Sequence, residues 1–160
     1  MRIAGFHKNS FIDYPGKMAA VIFTPGCNMN CYYCHNRSII KGDKVRSIYR
    51  PDDIINFLEK RKVFLDGVVI TGGEPTLQKG LADFICRIRE LGYAVKLDTN
   101  GTNPSILKEL IDKKLINYVA MDVKAPPERY EEICGIKVVW DDIYESIKIL
   151  LQGNVEYEFR

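Results

Sequence analysis

Short apolar runs alternate with amphipathic stretches along most of the chain. Met18–Thr24 is a continuous apolar run through Val21, Ile22 and Phe23, and reads as a buried strand. Pro51 suits a first helical turn, and Asp52 and Asp53 behind it suit the positive end of a helix. Ile54, Phe57 and Leu58 would then face inward. Val68–Thr71 reads as a second strand. Leu81, Phe84, Ile85 and Ile88 recur at i, i+3, i+4 and i+7, with Gly92 as the stop. Ala94–Asp98 is a third strand. Asn103 and Pro104 read as cap and first residue of a helix that turns Leu107, Leu110 and Ile111 to one side. Tyr118–Val123 is a fourth strand. Trp140, Ile143, Ile147 and Leu151 mark a last helix ending at Gly153, and Val155–Phe159 a fifth strand. Ahead of these, Arg2–Phe6 and Phe11–Tyr14 are short and apolar, and a Pro15-Gly16 turn follows. They suggest a small hairpin.

Strand, helix, strand in strict alternation implies a parallel sheet with helices packed outside it, because parallel neighbours need crossover connections. A chain of 160 residues is short of the roughly 250 that a full eight-unit barrel takes. The expected fold class is therefore α/β: a partial (β/α) barrel, mostly parallel and open. Residues 1–160 would form a single domain, with 1–17 as a hairpin-like extension and 18–160 as the partial barrel. The chain stops at Arg160 directly after the fifth strand, which suggests a truncated or incomplete barrel.

Composition changes little in this picture. The chain is 46% hydrophobic and 28% charged, as ordinary globular domains are. Its net charge of +2 gives no support to a nucleic-acid or membrane partner. The longest apolar run is far short of the ~20 residues of a spanning helix, and no secretory signal opens the chain. A cytoplasmic location is expected. The 5 cysteines are an odd number, crowded toward one segment, which suits a reducing compartment and a metal rather than disulfides.

Cys27, Cys31 and Cys34 form C-x3-C-x2-C in the loop after the Met18–Thr24 strand. A loop bends freely enough to bring three thiolates to one centre. Three thiolates on a cubane iron–sulfur cluster leave one iron open to a substrate. Zinc competes, although structural zinc wants four ligands, and His35 is too close to Cys34 to join it comfortably. Three unrelated thiols are the bland alternative. Cys86 reads as a small core hydrophobe, and Cys134 lies at a helix end before Gly135; neither sits in a ligand motif.

The next three strands also end in polar groups. Gly72, Gly73 and Glu74 offer a close backbone approach and an acceptor, or merely a turn. Asp98, Thr99, Asn100 and Gly101 could equally be a turn beside a cap, and Asp122 with Lys124 a local ion pair. Their convergence tilts the balance toward a shared ligand site: in parallel α/β sheets, ligands sit outside the carboxyl ends of the strands, and four successive strands deliver such groups there.

The run Cys27-Asn28-Met29-Asn30-Cys31-Tyr32-Tyr33-Cys34, with Gly72-Gly73-Glu74-Pro75 after the next strand, resembles the radical S-adenosylmethionine superfamily. Asp13-Tyr14-Pro15-Gly16-Lys17, Cys34-His35-Asn36, Asp98-Thr99-Asn100-Gly101 and Met121-Asp122-Val123-Lys124 are similar to the glycyl-radical-activating enzymes. Among these the likeness is greatest to activating proteins of anaerobic ribonucleoside-triphosphate reductase. It runs over essentially the whole chain, and such proteins usually continue beyond the position of Arg160.

The resemblance implies a [4Fe–4S] cluster on Cys27, Cys31 and Cys34, with the amino and carboxylate groups of S-adenosylmethionine on the fourth iron. It implies Gly72, Gly73 and Glu74 at the methionine amino group and Tyr33 at the adenine, chiefly through its main chain. It further implies Asp98, Asp122 and Lys124 near the ribose and carboxylate, and Asn100 at the ribose. In activating enzymes of pyruvate formate-lyase the matching positions also hold a monovalent cation. The implied reaction is one-electron cleavage of S-adenosylmethionine, whose 5′-deoxyadenosyl radical takes hydrogen from a backbone glycine of a partner protein. Anaerobic ribonucleotide reductase would be that partner, and a flavodoxin- or ferredoxin-type protein the electron donor. The alternatives are an activase of another glycyl-radical enzyme, such as pyruvate formate-lyase, a radical enzyme acting on a small molecule, and a non-catalytic zinc or iron–sulfur module. Residues 37–50 contain no cysteine, which counts against activases with an inserted ferredoxin-like segment.

Overall fold

The structure, a computed structural model, describes residues 1–41, 45 and 48–160. Among the described residues, 6 strands form one sheet in chain order. β1 (Gly5–Ser10) runs antiparallel to β2 (Ala19–Thr24). β3 (Gly67–Gly72), β4 (Ala94–Thr99), β5 (Tyr118–Met121) and β6 (Glu156–Phe159) then follow in parallel. The crossovers carry α1 (Pro51–Glu59), α2 (Leu81–Glu90) and α3 (Pro104–Asp112), then the short α4 (Tyr130–Cys134) and α5 (Trp140–Leu151).

Sequential strand order with crossovers of one hand puts the helices on one face. Alternation along the strands confirms it. Ala20, Ile22, Val68, Ile70, Val95, Leu97, Val119 and Met121 share one core with Ile54, Leu58, Phe84, Ile88, Leu107 and Ile143 of the helices. The opposite alternation set, Ala19, Val21 and Val69, forms a smaller cluster with Tyr14 on the helix-free face. This is the open, mostly parallel partial barrel that the alternation predicts.

Several predicted details shift. The hairpin does not pair Arg2–Phe6 with Phe11–Tyr14. Instead Gly5–Ser10 pairs with β2, whose edge offers a longer ladder than two short segments offer each other. Phe11 and Ile12 are left exposed, while Tyr14 folds onto the helix-free face with its ring 5.9 Å from that of Tyr118. The fourth parallel strand ends at Met121 rather than Val123, although rim bonds continue from Asp122 N–H to Thr99 O and from Val123 N–H to Arg160 O. Asn103 stands at the N-cap of α3 with Pro104 first in the helix, as expected, but its side chain makes no cap bond: Nδ2 donates to Thr76 O and Oδ1 accepts from Ser105 Oγ. On α5, Leu151 is exposed, and the buried face carries Ser146, whose hydroxyl donates to Gly101 O at 2.7 Å.

Candidate functional site

A cavity of about 530 Å³ opens at the carboxyl ends of β2 to β5. That is the size of a small-molecule pocket, for which ~300–1,000 Å³ is usual. The loop after β2 brings Cys27, Cys31, Tyr33 and Cys34 to it, and the β3 end brings Gly72 and Gly73. The β4 end adds Asp98 and Asn100, and the β5 end Asp122 and Lys124. Of the predicted site residues, Glu74 alone does not line it.

The cysteine loop is held by backbone bonds from distant elements. Cys27 N–H donates to Ile40 O, and Asn30 N–H to Cys134 O at 2.8 Å. Asn36 Nδ2 reaches Gly72 O, and the Arg37 guanidinium holds Asn30 Oδ1 and Cys31 O. Burial pushes the Cys27 thiol up to about 11; the N–H of Met29 pulls it back, while Glu74, Cys31 and Cys34 add to the rise. Protonated thiols so placed become ligands by releasing protons to a bound metal. Among the described residues, no three His, Cys, Asp or Glu side chains are gathered to hold a single metal ion. A cubane asks something else, since each of its cysteines binds a different iron. Three thiols opening on one cavity are the donor set such a cluster takes.

Cys134 is a neighbour that the sequence does not announce. It is fully buried beside the Cys31 thiol, and burial followed by Cys31 raises its own pKa to about 12. Gly135 behind it is left-handed, at φ +67°, and a Cβ there would lie 2.7 Å from Asn30 O.

The turn after β3 is built by contact between backbones. A Cβ on Gly73 would fall 1.9 Å from Gly26 O, so only glycine lets this turn meet the cysteine loop. Gly73 N–H donates to Thr24 O and Glu74 N–H to Gly26 O. The Glu74 side chain then turns inward. Oε1 accepts from Thr76 N–H, Thr76 Oγ1 and Thr99 Oγ1, and Oε2 from Asn100 N–H at 2.7 Å. Burial pushes this carboxyl up, and those four donors pull it back. Glu74 thus ties the β3 end to the β4 end instead of presenting an acceptor to the cavity.

On the β4 and β5 ends the charges form a chain. Lys124 Nζ stands 2.9 Å from Asp122 Oδ2, and Arg160 reaches Asp122 Oδ1 at 3.1 Å and Asp98 Oδ2 at 3.6 Å. Lys96, almost fully buried on the helix-free face, completes it at 2.6 Å from Asp98 Oδ1. Burial works against the charge of Lys124, but Asp122 outweighs it and the ammonium is held above its usual pKa. The Tyr33 ring lies 5.7 Å beneath that ammonium. Sequence reasoning missed Arg160 and Lys96. Lys96 was detectable: it alternates with Asp98 on the same side of a strand.

The comparisons agree with this geometry. The pattern of the radical SAM superfamily matches residues 21–157. A candidate glycyl-radical enzyme activating enzyme of Methanocaldococcus jannaschii is 43% identical over 99% of this chain and 66% of its own length. A candidate GTP 3′,8-cyclase of Pyrococcus abyssi is 28% identical over 80% of this chain and 41% of its own length. The chain therefore spans less than two thirds of either relative. Among solved structures, anSMEcpe with bound AdoMet superposes with a TM-score of 0.64 at 24% identity, covering 85% of this chain and 39% of that one. Streptococcus suis SuiB gives 0.58 at 15%, covering 87% and 38%. At these identities the two structures speak for the fold alone. The sequence match over residues 21–157 places the chain in the radical SAM superfamily, whose cofactors are a [4Fe–4S] cluster and S-adenosylmethionine.

Proposed function

We propose that this chain is the core of a glycyl-radical-activating enzyme whose target is anaerobic ribonucleoside-triphosphate reductase. The observation that carries this reading is the meeting of the cysteine loop with the Gly72-Gly73 turn and the Asp98 and Asp122 ends at one cavity. The likeness to the M. jannaschii protein over nearly the full chain supports the activase assignment. Residues 1–160 are read as one domain, and a flavodoxin- or ferredoxin-type protein as its electron source.

In this reading Cys27, Cys31 and Cys34 hold the cluster. Gly72 and Gly73 offer main-chain groups to the methionine amino group, and Glu74 fixes the turn that presents them. Lys124 faces the methionine carboxylate, Asp98 and Asp122 the ribose side, and the Tyr33 main chain the adenine. When bound, the two cofactors supply reductive carbon–sulfur cleavage and abstraction of hydrogen from carbon. The protein orients S-adenosylmethionine against the cluster and keeps water from the reacting atoms. An open mouth suits a partner that must insert a peptide loop.

The test is to reconstitute the chain anaerobically with iron and sulfide, reduce it, and add S-adenosylmethionine with candidate partners. A glycine-centred doublet by electron paramagnetic resonance on the reductase is the expected result. A doublet only on pyruvate formate-lyase would move the target. Conversion of GTP without a glycyl signal would favour the small-molecule reading, which the Pyrococcus likeness supports.

A further inference from the structure

Asn100 is placed where a ribose ligand would be expected, yet its amide has nothing left to offer. Its Oδ1 accepts from Thr102 N–H at 3.1 Å and Thr102 Oγ1 at 2.7 Å. Its Nδ2 donates to Asn28 Oδ1 at 2.9 Å, with Cys27 Sγ at 3.9 Å. Two acceptor sites and two N–H groups are the full capacity of a primary amide. Asn28 closes the ring by donating to Thr102 Oγ1 at 2.8 Å. Turning the amide over would set oxygen against Asn28 Oδ1 and NH2 against Thr102 N–H, so the N–H edge is pinned toward Cys27. The backbone is pinned too, by Asn100 N–H to Glu74 Oε2. The side chain is buried to 5% exposure, as a clamp would be.

We propose that Asn100 is a positioning residue for the cluster rather than a ribose ligand. It locks the cysteine loop to the β4 end and gives an N–H to the Cys27 sulfur. The Met29 N–H, 3.4 Å from the same sulfur, is its main-chain counterpart. Hydrogen bonds to cluster sulfurs set reduction potential, because an N–H dipole favours the more negative, reduced state. Asn100 therefore eases entry of the electron that starts the reaction. This rests on the reading of Cys27 as a cluster ligand.

The experiment compares reconstituted wild type with Asn100→Leu and the nearly isosteric Asn100→Asp. Iron and sulfide are counted, and the cluster is titrated redox-wise without S-adenosylmethionine, read by electron paramagnetic resonance. With full iron, Asn100→Leu shifts the equilibrium about tenfold toward the oxidised cluster, a lowering of about 59 mV for one electron. Asn100→Asp shifts it further, since a carboxylate adds charge beside the sulfur. A measurement without variants runs alongside: wild type labelled with 15N-asparagine shows a nitrogen coupling to the reduced cluster in pulsed spectra. Unchanged potentials at full iron, or no such coupling, overturn the proposal and leave the proposed function standing. A wild type that takes up no four-iron cluster, or a Cys27→Ala variant that keeps one whole, overturns both.

Discussion

Lys96 Nζ stands 2.6 Å from Asp98 Oδ1, two residues along the same strand, and the lysine is only 2% exposed. Glu158 lies 4.0 Å away on β6. One buried cation thus faces two carboxylates across the helix-free face. Removing it takes the nearer of two cations from Asp98, a carboxylate only 14% exposed, and leaves it to Arg160 at 3.6 Å. Lys96→Met is expected to cost about 3 kcal/mol, in the range for breaking a buried ion pair. Adding Asp98→Asn should recover part of that. Urea unfolding of the two variants measures the difference; equal stability of wild type and Lys96→Met would show the pair to be energetically idle.

Gly73→Ala should break the turn that meets the cysteine loop. The new methyl would sit 1.9 Å from the Gly26 carbonyl oxygen, and neither backbone is free to yield. A loss of several kcal/mol, or failure to bind iron at all, is expected. Full iron uptake with wild-type stability would contradict the geometry.

On the proposed reading, the four thiols around the loop divide into three ligands and one bystander, Cys134. Cys31→Ala should lose the cluster and all cleavage of S-adenosylmethionine. Cys134→Ala should keep four irons and lose only packing, about 1–2 kcal/mol. Iron counts per chain decide, and a Cys134→Ala protein unable to hold the cluster would make Cys134 part of the ligand set.

Asp122→Ala should load the cluster normally and bind S-adenosylmethionine roughly ten- to a hundredfold more weakly, the worth of one or two charge-assisted hydrogen bonds. Lys124 and Arg160 both lean on this carboxylate, so its loss frees two cations at once. Calorimetric titration of the loaded protein measures the effect, and unchanged affinity would reduce Asp122 to a local ion pair.

Tyr14 gives a pH signature. Burial raises its phenol from 10.0 to about 12, because the anion is disfavoured on the closed helix-free face. The stability carried by the neutral phenol is whole below about pH 10 and is lost as pH rises toward about 12, up to roughly 2–3 kcal/mol. Tyr14→Phe should flatten that part of the curve. Unfolding free energies at about pH 9 and about pH 11 provide the comparison; parallel curves for the two proteins would refute it.

Most of this fold is legible in the sequence because the apolar residues obey two clean periods. Leu81, Phe84, Ile85 and Ile88 all prove buried on α2, and Ala94 to Asp98 falls within β4. The site is legible for a related reason: its residues cluster at strand ends, where alternation stops and polar groups begin. What escapes is whatever depends on partners far along the chain. Nothing near Glu74 says that its carboxylate will be consumed by Thr76, Thr99 and Asn100. Nothing near Cys134 says that it will lie against Cys31. The N-terminal segment misleads because local turn chemistry favours a small hairpin, while the free edge of β2 offers a better pairing.

The bond from Asn30 N–H to Cys134 O has a consequence for biogenesis. The cysteine loop emerges early in synthesis, but its anchor arrives only after five of the six strands have been made. Contacts so distant in sequence close late. Until then the loop has only its nearer braces, from Ile40, from Asn36 on Gly72 and from Arg37. On the proposed reading, a cluster inserted before Cys134 is made would meet a loop still lacking its last backbone brace.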